Sequence, residues 1–392
     1  MHQQLEGRSK SGRMSRLGLR TATGIGVMGL LAVGLTVGAG SVTAGAASKT
    51  HGSKSVLACE VTDTGGINDH SFNASAWLGM QDAKKAAPKG TTITIKNASS
   101  TQASDYVTGI NGFIADKCNI IVTVGFLMAD ATWNAAVSNT SQHFAIVDNT
   151  NANPKDGTNT IDPNQAAASN LLGLTYDTNQ DAFLGGYEAA ATSKTGVVAT
   201  YGGEQFGSVT IYMDGFAEGV AYYDAHKAKG AKSVKLLGWD EKTQTGTFIG
   251  SFTNTGLAQT DSTAFLQAGA STIFPVAGGD GLGTTAAVNL WNQAHPSAKA
   301  NVEWVDTNGC VNDAADCSIF LSSVTKGVTA SVESAVLTQA GGKFKGGDYV
   351  GTLKNGGAAF IENAKYKVSA AVLTELKTLQ AKIISGAIKV AS

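Results

Sequence analysis

The sequence predicts an α/β fold built from two successive parallel-sheet units. Short apolar runs bounded by Gly, Asn or Asp alternate with helix-composed stretches from residue 54 onward, and the alternation starts afresh near residue 196. A strand, a helix and a second strand close as a right-handed parallel crossover, so each set should build its own sheet. Composition agrees with this: 15% charged against 43% hydrophobic residues, with 48 glycines, suits buried strands and tight loops rather than disorder.

Strands of the first set are expected at Ser55–Val61, Thr92–Ile95, Asn119–Val124 and Phe144–Val147, with helices at 71–87, 104–116 and 129–138. The second set reads as strands at Gly196–Thr200, Val234–Leu237, Thr272–Val276 and Val302–Val305, with helices at 180–193, 209–229, 256–268 and 283–295. Ahead of both lies a different kind of segment. Arg8, Lys10, Arg13, Arg16 and Arg20 precede an uncharged stretch from Thr21 to Gly40, and Ala44-Gly-Ala46 follows. A basic region, an apolar core and an A-x-A site make residues 1–46 a secretory signal peptide, with an uncleaved N-terminal anchor as the alternative. No twin-arginine pair is present, which favours the general secretory route. Without this leader the chain still exceeds what one core usually supports, so two domains are expected.

Every arginine lies at or before position 20. Arg is the usual bidentate grip on carboxylate or phosphate, so its absence beyond the leader argues against nucleic acid, nucleotides and amino acids held by a guanidinium fork. Acids slightly outnumber lysines in the remainder, which leaves no electrostatic footprint for DNA. The four cysteines sit in an exported chain, where disulfides are the default. Cys310 and Cys317 enclose a short polar loop and should pair locally, leaving Cys59 with Cys118. A lipid on Cys59 is the competing reading, because Val56-Leu-Ala-Cys59 loosely resembles a lipobox, although it falls inside an apolar strand.

Ligands of open parallel sheets bind beyond the carboxyl ends of strands. The side chains there are Asp63 after the first strand, Phe126 after Gly125, and Asp148 after the fourth. In the second set they are the loop Ala277-Gly-Gly-Asp-Gly281 and Asp306. Turn chemistry alone places Asp and Gly in such loops. Recurrence at the same end of successive strands favours a ligand. The loop Asp63-Thr-Gly-Gly-Ile-Asn-Asp-His-Ser-Phe-Asn73 holds an aromatic in a polar setting. There Phe72 either stacks on a flat ligand or acts as a hydrophobic staple, and Ser71 or Asp69 can cap the following helix.

The run VTDTGGINDHSFNASAWLGM resembles the opening motif of the basic membrane protein (BMP) family, the PnrA-like purine nucleoside binders. The likeness continues through IVTVGFLMADA, HFAIVDN, FLGGYEAA, FIGSFTN, VAGGDGLG, WVDTNG and SSVTKG, in the family's order. It implies a type I periplasmic-binding fold: two Rossmann-like lobes joined by three crossing segments, one from 54–175 plus about 307–335, the other from 176–306 plus about 336–392. It also implies an ABC importer's receptor that closes on a nucleoside and is read by a membrane permease. In that picture Phe72 and Phe252 stack on the two faces of the base, and Asp63 bonds its edge. Asp148 and Asp306 hold ribose hydroxyls, Lys326 lies near the sugar, and Gly279 brings backbone close. Asn68, Asp69 and Phe126 complete the implied ligand set. Two departures concern the ligand more than the class: Asn308 stands where the family often has a second acid, and Thr-Asn-Thr-Gly follows Phe252 where Asp-Pro is common.

A neutral nucleoside suits a chain with no arginine clamp, since it needs carboxylates for hydroxyls and aromatics for a flat base. No catalytic set is expected. His51, His70, His143, His226 and His295 form no metal spacing, and Gly-x-Ser-x-Gly is absent. Gly279-Asp-Gly-Leu-Gly283 lacks the ending of a phosphate loop. No metal, cofactor or nucleic acid is therefore called for, and the chain is expected to act as a monomer. The rival readings are a surface sensor using the same fold and a secreted nucleoside hydrolase, which would need an acid/base pair or metal cluster.

Overall fold

The computed structural model describes residues 54–152, 154–155, 160–161 and 167–391, so the leader expected at 1–46 lies outside the described residues. The first unit begins with β1 (Lys54–Thr64), β2 (Thr91–Ser100), β3 (Ile120–Val124), β4 (His143–Val147) and β5 (Leu171–Tyr176). The second begins with β6 (Val197–Gly202), β7 (Lys235–Leu237), β8 (Thr272–Val276), β9 (Asn301–Asp306) and β10 (Phe320–Lys326). Two late strands complete the pair: β11 (Gly347–Gly351) joins the first sheet beside β5, and β12 (Ala358–Glu362) joins the second beside β10. The orders are β11-β5-β4-β3-β1-β2 and β12-β10-β9-β8-β6-β7. Pairing is parallel throughout except for β12, which runs antiparallel to β10.

The longer helices are α1 (Phe72–Lys85), α2 (Ala103–Ala115), α3 (Ala129–Ser138), α4 (Asn179–Thr192), α5 (Gly207–His226), α6 (Thr255–Gln267), α7 (Gly281–Ala294), α8 (Val328–Ala340) and α9 (Ala370–Ile384). Strands such as Ile120–Val124 and Thr272–Val276 are buried along their whole length because helices cover both faces. On the first sheet α1 and α8 cover one face and α2 and α3 the other. On the second, α4 and α5 oppose α6 and α7, and α9 packs behind α4 through Leu376, Leu379 and Ile383. Helices α4 and α5 touch backbone to backbone: a Cβ on Gly186 would lie 2.0 Å from the Phe216 carbonyl, and one on Gly219 2.0 Å from that of Phe183.

The chain passes between the sheets three times: at Asp177–Thr178 between β5 and α4, at Gly327 between β10 and α8, and at 352–357 between β11 and β12. This is the arrangement of a type I binding-protein fold. The boundary expected near residue 307 is corrected. Strand β10 belongs to the second sheet, because its buried run pairs with β9 from Trp304↔Ser323 to Asp306↔Thr325 and needs strands on both sides. The segment after 336 is likewise divided, since β11 returns to the first sheet.

Both disulfides form as paired in the sequence, Cys59–Cys118 with Cα atoms 6.0 Å apart and Cys310–Cys317 with 4.5 Å. Cys59 is fully buried and its sulfur is committed to that bond, which leaves no thiol for a lipid. Among the described residues, no helix is long and apolar enough to cross a membrane.

Candidate functional site

Strand ends from both sheets converge on one cavity. Asp63 and Asp148 come from the first sheet, Val276, Asp306 and Lys326 from the second, and the start of α5 supplies Ser208, Val209 and Tyr212. Phe72, Phe126 and Phe252 supply its aromatic walls. Asp148 and Asp306 hold equivalent places, each at the end of its set's fourth strand and each in left-handed backbone, φ 66° and φ 65°. Asp is one of the few side chains that tolerates this conformation, and it swings both carboxylates out of their strands into the cleft.

Lys326 joins the two. Its Nζ lies 2.7 Å from Asp148 Oδ2 and 3.8 Å from Asp306 Oδ1, and its side chain is 5% exposed. Burial opposes its charge, but the facing Asp148 and Asp306 carboxylates outweigh burial and hold the ammonium above the usual lysine range. Asp306 also accepts from the Tyr212 hydroxyl (3.1 Å) and the Ser71 hydroxyl (3.3 Å). Burial keeps the Tyr212 phenol well above its ordinary range, so it remains a donor. The ammonium sits 5.2 Å from the Phe72 ring centre and 5.1 Å from that of Tyr212, close enough for cation–π attraction.

Asp63 lies inside β1 rather than after it, because the strand runs on through a register shift to Thr64. Burial raises its carboxyl well above the carboxylate range, the Asn73 hydrogen bond opposes this, and Asp69, Asp148 and Asp306 add to the rise. Gly125 makes its space. At φ +111° a Cβ there would fall 2.2 Å from Asp63 Oδ2, so only glycine fits.

Asp69 is spent largely on the fold. Its carboxylate accepts from the backbone N–H groups of Ser71, Asn73 and Ala74 at 2.8–3.0 Å, satisfying the open end of α1. Asn73 donates from Nδ2 to Asp63 (2.8 Å) and Asp69 (3.1 Å). Its Oδ1 and the Ser208 hydroxyl are buried on the cavity wall without a partner. Buried polar atoms are rarely left so, and two lining one cavity, from α1 and α5, suit a polar ligand.

Asp63, Asp69, Phe72, Phe126, Asp148, Phe252, Gly279, Asp306 and Lys326 thus share the cavity. Asn68 does not. The 3₁₀ turn Gly66–Asn68, entered through Gly65 at φ +112°, leaves it exposed in outer grooves. Sequence reasoning missed Thr64, Asn73, Ser208, Val209, Tyr212, Val276 and Gly278. Asn73 and Gly278 fell within motifs already singled out, whereas nothing local distinguishes Ser208 or Tyr212. Among the described residues, no group of three or more His, Cys, Asp or Glu side chains is placed to hold a metal.

Two parallel-sheet units that aim strand-end carboxylates, a lysine and aromatic rings into one cleft define a solute-binding protein. The family of ABC transporter substrate-binding proteins, PnrA-like (Bmp), matches residues 56–392, and the chain belongs to it. It is 32% identical over 343 residues to the ABC transporter nucleoside-binding protein BmpA of Lactococcus lactis, covering 85% of this chain and 88% of that one. With basic membrane protein A of Borreliella afzelii the identity is 25% over 327 residues, covering 82% and 87%. The fold matches a solute-binding protein of an ABC transporter system from Aeropyrum pernix with a TM-score of 0.70 at 21% identity, covering 85% of this chain and 92% of that one.

Proposed function

We propose that this protein is the exported receptor of an ABC importer and binds a nucleoside, purine in type, within the cleft. The observation that carries this reading is the lining. Aromatic walls stand beside the carboxyl groups of Asp63, Asp148 and Asp306, with Lys326 the only cation among the lining residues and no arginine among them. Rings suit a flat base, and carboxylates suit ribose hydroxyls and ring N–H groups. The unpartnered Asn73 Oδ1 and Ser208 hydroxyl add two more contacts for a polar solute. The Lactococcus relative, named as a nucleoside-binding protein, points the same way.

In this reading Phe72 and Phe252 flank the base, Asp63 bonds its edge, and Asp148, Asp306 and Lys326 hold the sugar. The protein works as a monomer that offers both lobes to a membrane permease, and it performs no chemistry on its cargo. Titration calorimetry with nucleosides and free bases tests this. Phe72→Ala and Phe252→Ala should each weaken nucleoside binding by about 1–3 kcal/mol, the scale of base–aromatic stacking. Asp148→Ala should narrow the preference for a nucleoside over its base by a similar amount, since it removes a partner from a buried hydroxyl. Unchanged affinity in both Phe variants overturns the nucleoside reading.

A further inference from the structure

The second sheet buries carboxyl groups that the cleft does not use. Glu188 on α4, Glu303 on β9 and Ser322 on β10 meet in the interior, each 0% exposed. Ser322 Oγ lies 2.6 Å from Glu303 Oε1 and within hydrogen-bond reach of Glu188 Oε2. A hydroxyl carries one hydrogen, so it donates to one of these oxygens and must accept from the other. An ionised carboxylate has no hydrogen to give. A carboxylic acid does.

The surroundings offer no other remedy. Glu188 Oε1 and Glu303 Oε2 are buried without a hydrogen-bond partner. The titratable groups facing the pair are Asp181 on α4, Glu362 on β12 and the Tyr366 phenol beyond it, none of them a cation. Lys326 acts on Asp181, and its ion pairs run to Asp148 and Asp306 on the cleft side. Two ionised carboxylates side by side here would carry the full desolvation penalty with no counter-charge.

We infer that Glu188 and Glu303 hold one proton between them through Ser322, and that this proton latches α4 to β9 and β10 as a pH-sensitive device. Burial pushes Glu188 up to about 7, with the Ser322 hydroxyl opposing and Glu362 adding. Burial raises Glu303 well above the ordinary glutamate range, and the neighbouring Glu188 adds to it. Both groups are raised relative to the unfolded chain. The native state therefore keeps the proton where the unfolded state has lost it, and stability falls as pH rises from the ordinary glutamate range through about 7. The latched elements reach the cleft, since β9 ends in Asp306, β10 ends in Lys326, and α4 follows the first crossing.

The test measures the unfolding equilibrium in urea from pH 5 to 9 for the wild type, Glu188→Gln and Glu303→Gln, with Glu333→Gln, at a half-buried glutamate of α8, as the control. One proton corresponds to a rise in the unfolding constant of up to about tenfold per pH unit in the wild type. Each latch variant should lose that part of the slope while Glu333→Gln keeps it, because a glutamine amide supplies the hydrogen Ser322 needs. Infrared difference spectra at pH 6 should show one protonated-carboxyl band fewer in either latch variant. Should one latch variant fail to fold, the other and the wild-type spectrum still decide. Equal slopes in wild type and latch variants, or no loss of the carboxyl band, overturn the proposal.

Discussion

At the scale of single residues the cleft depends on Lys326. It is the one cation among the lining residues, enclosed with Asp148 and Asp306 and bonded at 2.7 Å to the first. Removing one partner of a buried ion pair costs about 3–5 kcal/mol, because the charge left behind has neither water nor counter-ion. Lys326→Met should cost about that much near neutral pH. The sign with pH follows: burial already raises the Asp148 carboxyl against the pull of Lys326, and without the ammonium it holds its proton more readily in the native state than in the unfolded chain. The variant should therefore regain stability as pH falls toward the ordinary aspartate range, a trend that urea unfolding at pH 5 and pH 8 would read. The double variant Asp148→Asn, Lys326→Met leaves less charge uncompensated and should recover part of the loss. Equal losses in the single and double variants would place the cost in packing rather than charge.

Among elements, the opening of α1 shows how fold and site share side chains. Asp69 satisfies three backbone N–H groups at the start of the helix and also takes one bond from Asn73, which bonds Asp63 in turn. Asp69→Ala should cost about 0.5–2 kcal/mol as the loss of a helix cap. It should weaken ligand binding as well, because Phe72 is the first residue of that helix; thermal unfolding and calorimetry on one preparation separate the effects. The first disulfide acts at the same scale. It closes a span of 59 residues, so Cys59→Ala with Cys118→Ala should cost about 2–4 kcal/mol, measured as a fall in the urea midpoint. Much of this level was legible in the sequence. Apolar runs ending in Asp148 and Asp306 marked the strand ends, since turn residues there stop a run that must otherwise be buried, whereas β1 ran on past Asp63 to Thr64. Lys326, Phe252 and Gly279 came instead from resemblance to a family. What stayed hidden is long-range. Tyr212 reaches the cleft because α5 starts beside it, and that placement follows from Gly186, Gly215 and Gly219, which let α4 and α5 meet backbone to backbone. The mixed allegiance of residues 307–362 was hidden for the same reason, as no local pattern tells which sheet a buried strand will join.

For the whole molecule, the question is how a solute enters and which solutes are refused. The cavity measures about 50 Å³, well below the several hundred Å³ typical of small-molecule pockets, so a solute of nucleoside size would enter only when the walls part. The contacts that must yield run between the units: Phe126 against Phe206 at 4.2 Å, Ser71 to Asp306 at 3.3 Å, and Lys326 to Asp148 at 2.7 Å. A ligand that replaces them ties the two sheets together and stabilises the fold by about 2.7 kcal/mol at a hundredfold excess over Kd. Charge then decides among solutes. Asp148 and Asp306 against the single Lys326 leave that part of the cavity net negative. Placing like charges together across a binding surface costs several kcal/mol. A nucleoside should therefore raise the melting temperature, whereas its 5′-monophosphate at the same concentration should leave it nearly unchanged. Asp148→Asn, which removes one negative charge, should weaken the nucleoside while narrowing the gap to the monophosphate. Added salt should narrow that gap much less than it would at an exposed site, because these charges are buried from screening. A monophosphate that stabilises the wild type as well as the nucleoside does would contradict this account of the cleft's charge, leaving the fold and the family as they stand.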